Sequence, residues 1–253
     1  MVTGAGSRYP GSMPDLWTVA PEGEEILGQA FPFEDPQALY DGAEPFPGGR
    51  GTTRRLRWGG RAFLFKRESR GGLAGRLLPD LYLGKAAFRA EWEAQRHAAA
   101  AGLSRPLAAR AFVRKGLFFA VYTLSEEMVG SRSLAEVLAQ GGLTAELLRR
   151  SGKAVAALHR TGLVHGDLNA GNLLLLPEGR FVFIDFRHSR VFPGLPPVRC
   201  RRRNVRRLLR SLRKVSRRVG RPLPPGAAGS LAGGYAEGWG GGEPWLRALV
   251  EEG

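Results

Sequence analysis

LVHGDLNAGNLLLLPEGRFVFIDFR, residues 163–187, is the stretch on which the reading of this chain turns. It sets an acid, an amide and a second acid, Asp167, Asn172 and Asp185, five and then thirteen positions apart. Two apolar strand-like runs, Leu173 to Leu176 and Phe181 to Ile184, lie between the last two and flank a Pro-Glu-Gly turn. Phosphoryl transfer from a nucleotide needs this combination: one carboxylate near the attacking hydroxyl, and an amide oxygen with a second carboxylate for the Mg²⁺ that bridges the phosphates. Asp and Asn are also common turn formers, so the spacing gains its weight from context: a helix before it and two strands after it. His165 reads as a buttress for the backbone near the metal-binding acid, and Gly166 and Gly171 let the loop turn tightly.

Upstream, Thr144 to Arg160 is the clearest helix, with Thr144 as N-cap and Leu147, Leu148, Ala154, Val155 and Leu158 on one side. Ser133 to Gln140 is a shorter one. Nearer the N-terminus, RRLRWGGRAFLFK reads as a hairpin turning at Gly59-Gly60, and it follows the glycine-rich run Gly48-Gly49-Arg50-Gly51. Such a run lets backbone N–H groups approach phosphate oxygens. Lys66 ends the hairpin's second strand, where an ammonium can reach the α- and β-phosphates if a carboxylate holds it. Helix 86–101 offers Glu91 and Glu93, which cannot share a face; Glu91 is preferred. Two further strands, 108–113 and 117–124, lead through Ser125, Glu126 and Glu127 into a hinge-like segment whose backbone would meet a nucleotide base. Residues 1–45 read as an irregular lead-in with one short helix near Asp35 to Tyr40. Short helical pieces at Ser230 to Trp239 and Pro244 to Glu251 close the chain.

HGDLNAGNLL with IDF resembles the protein-kinase-like fold, and within it the lipopolysaccharide kinase families, the 3-deoxy-D-manno-octulosonic acid (Kdo) kinases of Gram-negative bacteria among them. GGRGT, FLFKRESRGGLAGRLLPDLYL, AFRAEWEAQRHAAAAGLSRPLAA, SRSLAEVL and RRNVRRLLRSLRK have counterparts there in order, so the likeness spans roughly residues 46 to 216. The resemblance implies an α+β, bilobal fold: a small antiparallel N-lobe sheet with one helix over 46–125, and a mainly helical C-lobe over 126–253. It implies an ATP- and Mg²⁺-dependent kinase acting on the Kdo of a lipid A precursor, peripheral at the cytoplasmic face of the inner membrane. Carried over by position, Gly48, Gly49 and Gly51 cover the phosphates, Lys66 pairs with ATP and Glu91, Glu126 lies at the nucleotide hinge, Asp167 is the base, and Asn172 and Asp185 hold the metal. Arg187 and His188 stand where the family usually has an acid after Asp-Phe, and Gly171 where a histidine is usual before the amide. HGDL-x-x-GN also resembles small-molecule phosphotransferases such as the aminoglycoside kinases, so a core heptose, a small molecule, a protein acceptor and a silent pseudokinase stand as alternatives.

Charge supplies a separate signal. Of the 38 basic residues eleven lie within 199–218, a run without an acid, and the rest of the chain carries 27 against 23 acidic residues. Val205, Leu208, Leu209, Leu212 and Val215 form a period-3.6 stripe in that run, which predicts a basic amphipathic helix packed through its leucines. Its arginines suit anionic lipid headgroups or an anionic acceptor. Specific nucleic-acid binding is not expected, because no aromatic interleaving or nucleic-acid motif accompanies them. The single Cys200 excludes an internal disulfide and a cysteine-based zinc site. No secretory signal or transmembrane run is apparent.

Overall fold

The computed structural model describes residues 17–28, 30–47, 52–69 and 81–251. The glycine-rich run at 48–51, with Gly48, Gly49 and Gly51, and the turn beginning at Arg70 lie outside the described residues. The chain divides into two units, residues 1–85 with 106–127 and residues 86–105 with 128–253.

The first unit is built on a six-stranded sheet in the order β1-β5-β6-β4-β3-β2: β1 (Trp17–Val19), β2 (Glu44–Pro45), β3 (Thr53–Trp58), β4 (Arg61–Arg67), β5 (Leu107–Lys115) and β6 (Phe118–Glu126), every pair antiparallel. The β3–β4 hairpin turns at Gly59-Gly60 as expected, with φ of 54° and 74°, the doubly left-handed turn that matches strand twist. Alternation along β4 sends Phe63 and Phe65 into the core, both 0% exposed, and puts Leu64 and Lys66 on the opposite face. Phe65 stacks with Trp17 at 6.2 Å between centroids and meets Tyr40 edge-on at 5.6 Å.

That packing corrects the irregular lead-in expected over residues 1–45. Its described part contains β1, β2, α1 (Pro21–Leu27) and α2 (Pro36–Gly42), and Trp17, Leu27, Phe31 and Tyr40 belong to the sheet's core. These elements are two to seven residues long, too short for periodicity to register. The short helix was legible, since Asp35 caps α2 by accepting from the Gln37 and Ala38 N–H groups.

In the second unit α3 (Ala86–Ala100) buries Phe88, Glu91, Ala94, Gln95 and Ala98 at intervals of three and four, and packs against β8 (Leu163–Val164) and β11 (Arg190–Val191). The division therefore differs from the 46–125 and 126–253 boundaries expected from the sequence: residues 86–105 join the helical unit and residues before 46 the sheet. A capping box between Ser133 and Glu136 starts α4 (Leu134–Ala139). Thr144 caps α5 (Ala145–Arg160), its hydroxyl accepting from Leu147 N–H at 3.1 Å. This helix lies against α7 (Ala227–Trp239) at contact distance, because a Cβ on Gly234 would fall 1.8 Å from the Arg149 carbonyl oxygen. The predicted basic helix is α6 (Val198–Val219), with Val205, Leu208, Leu209 and Leu212 buried and Val215 packed at their margin. Strands β9 (Leu173–Leu175) and β10 (Phe181–Phe183) pair as an antiparallel hairpin joined by β7 (Arg132–Ser133), and α8 (Pro244–Glu251) ends the fold.

Candidate active site

The loop between β8 and β9 carries Asp167 and Asn172, and the residues following β10 carry Asp185. Hydrogen bonding ties the three together. Asn172 Nδ2 donates to the Asp167 carbonyl at 2.9 Å, and the Ile184 N–H donates to the Asn172 carbonyl at 3.1 Å, so the amide is set beside the residue preceding Asp185. Asn169, to which no role had been given, shapes the turn: its Oδ1 accepts from Gly171 N–H at 2.8 Å and its Nδ2 donates to the Asp167 carbonyl at 3.2 Å.

His165 is fully buried and works as the expected buttress. Its Nδ1 accepts from the Asp167 N–H at 3.1 Å, so the ring proton sits on Nε2, which donates to the Ile184 carbonyl at 3.0 Å. One imidazole thus spans the backbones next to both acids. Burial pushes its pKa below the ordinary histidine value and keeps it neutral, as the tautomer requires.

Gly166 is required for a steric reason. A Cβ there would lie 2.2 Å from the Arg187 carbonyl oxygen and 2.3 Å from the His188 carbonyl carbon. Its N–H donates to Ser189 Oγ at 3.0 Å. The contact from 187–188 is made by backbone, so it does not depend on the Arg187 and His188 side chains. Asp185 and His188 both have φ of 61°, left-handed and costly for residues with a Cβ.

The largest feature missed in the sequence is what holds this loop from α6. Asn204, Arg207 and Ser211, at spacings of three and four, form one seam along the helix. Asn204 Oδ1 accepts from His165 N–H at 3.1 Å while its Nδ2 donates to the His165 carbonyl at 2.8 Å. The Arg207 guanidinium pairs with the Asp167 carboxylate and lies 3.4 Å from the Gly166 carbonyl oxygen. Ser211 Oγ accepts from Ala170 N–H at 3.0 Å. The signal was present as three polar residues beside the leucine stripe, hidden by the surrounding arginines.

Behind the seam, the same Asn204 oxygen lies 3.1 Å from His159 Nε2, and His159 Nδ1 lies 2.9 Å from the Tyr235 hydroxyl. Because that oxygen can only accept, Nε2–H donates to it and Nδ1 accepts from Tyr235. Burial lowers the His159 pKa to about 4 and raises that of Tyr235 to about 12.

In the sheet unit, Lys66 Nζ stands 3.1 Å from Glu68 Oε2, two positions along the chain and 2% exposed. Thr123 Oγ1 donates to Glu68 at 3.0 Å and accepts from Arg110 Nε at 3.1 Å. Period-2 alternation already placed Glu68 on the lysine's face, a signal the sequence reading passed over. Glu91 is buried on α3 and Glu93 is exposed. Glu126 ends β6 opposite Phe63, and its side chain pairs with Arg61 at 2.9 Å.

Among the described residues no three His, Cys, Asp or Glu converge as a cluster. Asn172 spends its amide nitrogen on Asp167, which leaves its oxygen and the Asp185 carboxylate as hard donors. Two such donors suit Mg²⁺, which takes one or two protein ligands and completes its shell with phosphates and water.

A model of the lipopolysaccharide kinase (Kdo/WaaP) family matches residues 46–221. Proteins named 3-deoxy-D-manno-octulosonic acid kinase are similar: that of Xanthomonas axonopodis pv. citri (strain 306) is 37% identical over 187 residues, 71% of this chain and 74% of its own. That of Stenotrophomonas maltophilia (strain R551-3) is 37% identical over 174 residues, 66% of this chain and 68% of its own. A solved structure described as WaaP in complex with acyl carrier protein superposes with a TM-score of 0.58 at 20% identity, over 93% of this chain and 92% of that one, and supports the kinase-like fold. With the motifs, the loop geometry and the matched span in agreement, the chain belongs to the lipopolysaccharide kinase (Kdo/WaaP) family of phosphotransferases.

Proposed function

We propose that the chain transfers the γ-phosphoryl group of ATP to a hydroxyl of the acidic sugar Kdo on a lipid A precursor. The acid-amide pair Asp167–Asn172, tied by a 2.9 Å bond and backed by neutral His165, carries the phosphotransfer reading. The relatives' names support Kdo as the acceptor sugar.

Mg²⁺-ATP, when bound, supplies the phosphoryl group and a counter-charge for its oxygens. Asp167 orients the acceptor hydroxyl and takes its proton as the oxygen attacks. Asn172 Oδ1 and the Asp185 carboxylate would hold the metal, and His165 keeps the backbones at Asp167 and Ile184 in register. Lys66, with Glu91 as its family partner and Glu68 as its partner on the strand, serves the nucleotide phosphates along with Gly48, Gly49 and Gly51; Glu126 marks the hinge. Among the described residues no helix is long and apolar enough to cross a membrane. The arginine-rich face of α6 would draw the protein to the anionic inner-membrane surface where its acceptor resides.

The deciding experiment measures ATP consumption by the purified protein with Kdo-lipid A and, separately, with heptosylated core. Turnover only with the Kdo acceptor supports the assignment. Turnover only with the heptose acceptor replaces it with a core kinase, and nucleotide binding without turnover on any acceptor leaves a pseudokinase.

A further inference from the structure

A row of cations leads away from Asp167 along α6, and phosphoryl transfer itself does not use it. After Arg207 come Arg210, Lys214 and Arg217, at spacings of three, four and three, which puts them on one face. Those three are exposed and have no hydrogen bond or ion pair among the described residues. With Arg213 they line an open groove of about 840 Å³ that also contains Asp167 and Arg207. Five cationic side chains face one carboxylate, and that carboxylate is already engaged by Arg207. Like charges set side by side on one helix face repel, so the row gains most when an anion neutralises it.

We propose that this row is a docking track for an acceptor with two separated anionic groups. Arg207 takes a carboxylate adjacent to the accepting hydroxyl, sharing its guanidinium between that group and Asp167. Lys214 and Arg217 take a phosphate on the same acceptor, about 10–15 Å further along at 1.5 Å of rise per residue. The inference rests on the sugar-acid acceptor proposed above and assigns the side chains that would read its two anionic groups. The phosphate of a membrane lipid is the competing source.

The test is calorimetric binding of a soluble, deacylated probe: a glucosamine disaccharide bearing two phosphates and one Kdo, compared with the same saccharide after phosphatase treatment. Removing the phosphates should weaken binding to the wild-type protein about tenfold or more. The Lys214→Ser/Arg217→Ser variant, its fold checked by circular dichroism, should bind both saccharides alike. Arg207→Gln should bind the sugar acid and its methyl ester alike, where the wild type prefers the acid. An equal phosphate effect in the wild type and the double variant overturns the track. So does a double variant that loses affinity for phosphatidylglycerol vesicles but binds the soluble probe unchanged, which would assign the row to the lipid surface. If neither saccharide binds but inorganic pyrophosphate does, through Lys214 and Arg217, the anion track stands and the Kdo acceptor falls; binding of none of them sinks both.

Discussion

Asn204 and His165 share two hydrogen bonds, side-chain amide to main-chain peptide, at 3.1 and 2.8 Å. The same amide oxygen also accepts from His159, so one residue of α6 satisfies three buried groups. Asn204→Leu should leave them unpaired, at about 1–3 kcal/mol each, and thermal unfolding should show a midpoint lower by many degrees with kcat reduced in the surviving fraction. A wild-type midpoint would mean that the loop is held elsewhere.

His159 makes stability depend on pH. Its pKa falls from 6.5 unfolded to about 4 folded, because burial disfavours the charged form. The unfolded chain therefore binds the extra proton first, and stability rises with pH across that interval. The contribution is complete above about pH 6.5 and is lost as pH falls towards 4, roughly 3 kcal/mol in all at 1.36 kcal/mol per pH unit. The lowered pKa of His165 acts in the same direction. Urea unfolding at pH 7, 6 and 5 should show the decline, and His159→Phe should flatten it; an unchanged slope in that variant would assign the pH dependence elsewhere.

Asp185, at φ of 61°, offers a separation of strain from chemistry. Asp185→Gly removes the steric cost of a Cβ in that conformation, about 1 kcal/mol, along with the carboxylate. The variant should unfold at the same or a higher temperature and lose Mg²⁺-dependent ATP binding. Retained Mg²⁺-ATP affinity would remove Asp185 from the metal site.

Glu68, buried 3.1 Å from Lys66, should matter to the nucleotide. Glu68→Ala is expected to raise KM for ATP several-fold, with a smaller effect on KM for the acceptor. The same comparison on Glu91→Ala tests the other partner proposed for Lys66. Equal effects of Glu68→Ala on both substrates would indicate a loss of fold rather than of lysine placement.

Much of the architecture was legible because local chemistry and tertiary packing agree. The Gly59-Gly60 turn, the Ser133 and Thr144 caps and the leucine stripe of α6 each state a conformation in adjacent residues. The lead-in was not, because Trp17, Phe31 and Tyr40 gain their meaning only against Phe65, a partner far along the chain. In the candidate site, motif spacing nominated Asp167, Asn172 and Asp185, whereas Asn204, Arg207 and Ser211 lie some forty residues from their partners and belong to no motif.

Helix α6 divides its length between two neighbouring strips, one bonded to the loop and one without such bonds among the described residues. Asn204, Arg207 and Ser211 fasten the reacting loop, while Arg210, Lys214 and Arg217 stand in solvent with no structural duty among the described residues. Mutations in the unbonded strip would therefore cost folding little, whereas those in the bonded strip would loosen the loop. Such a rod gives a lineage a dial for trying new saccharides while its reaction machinery stays fixed.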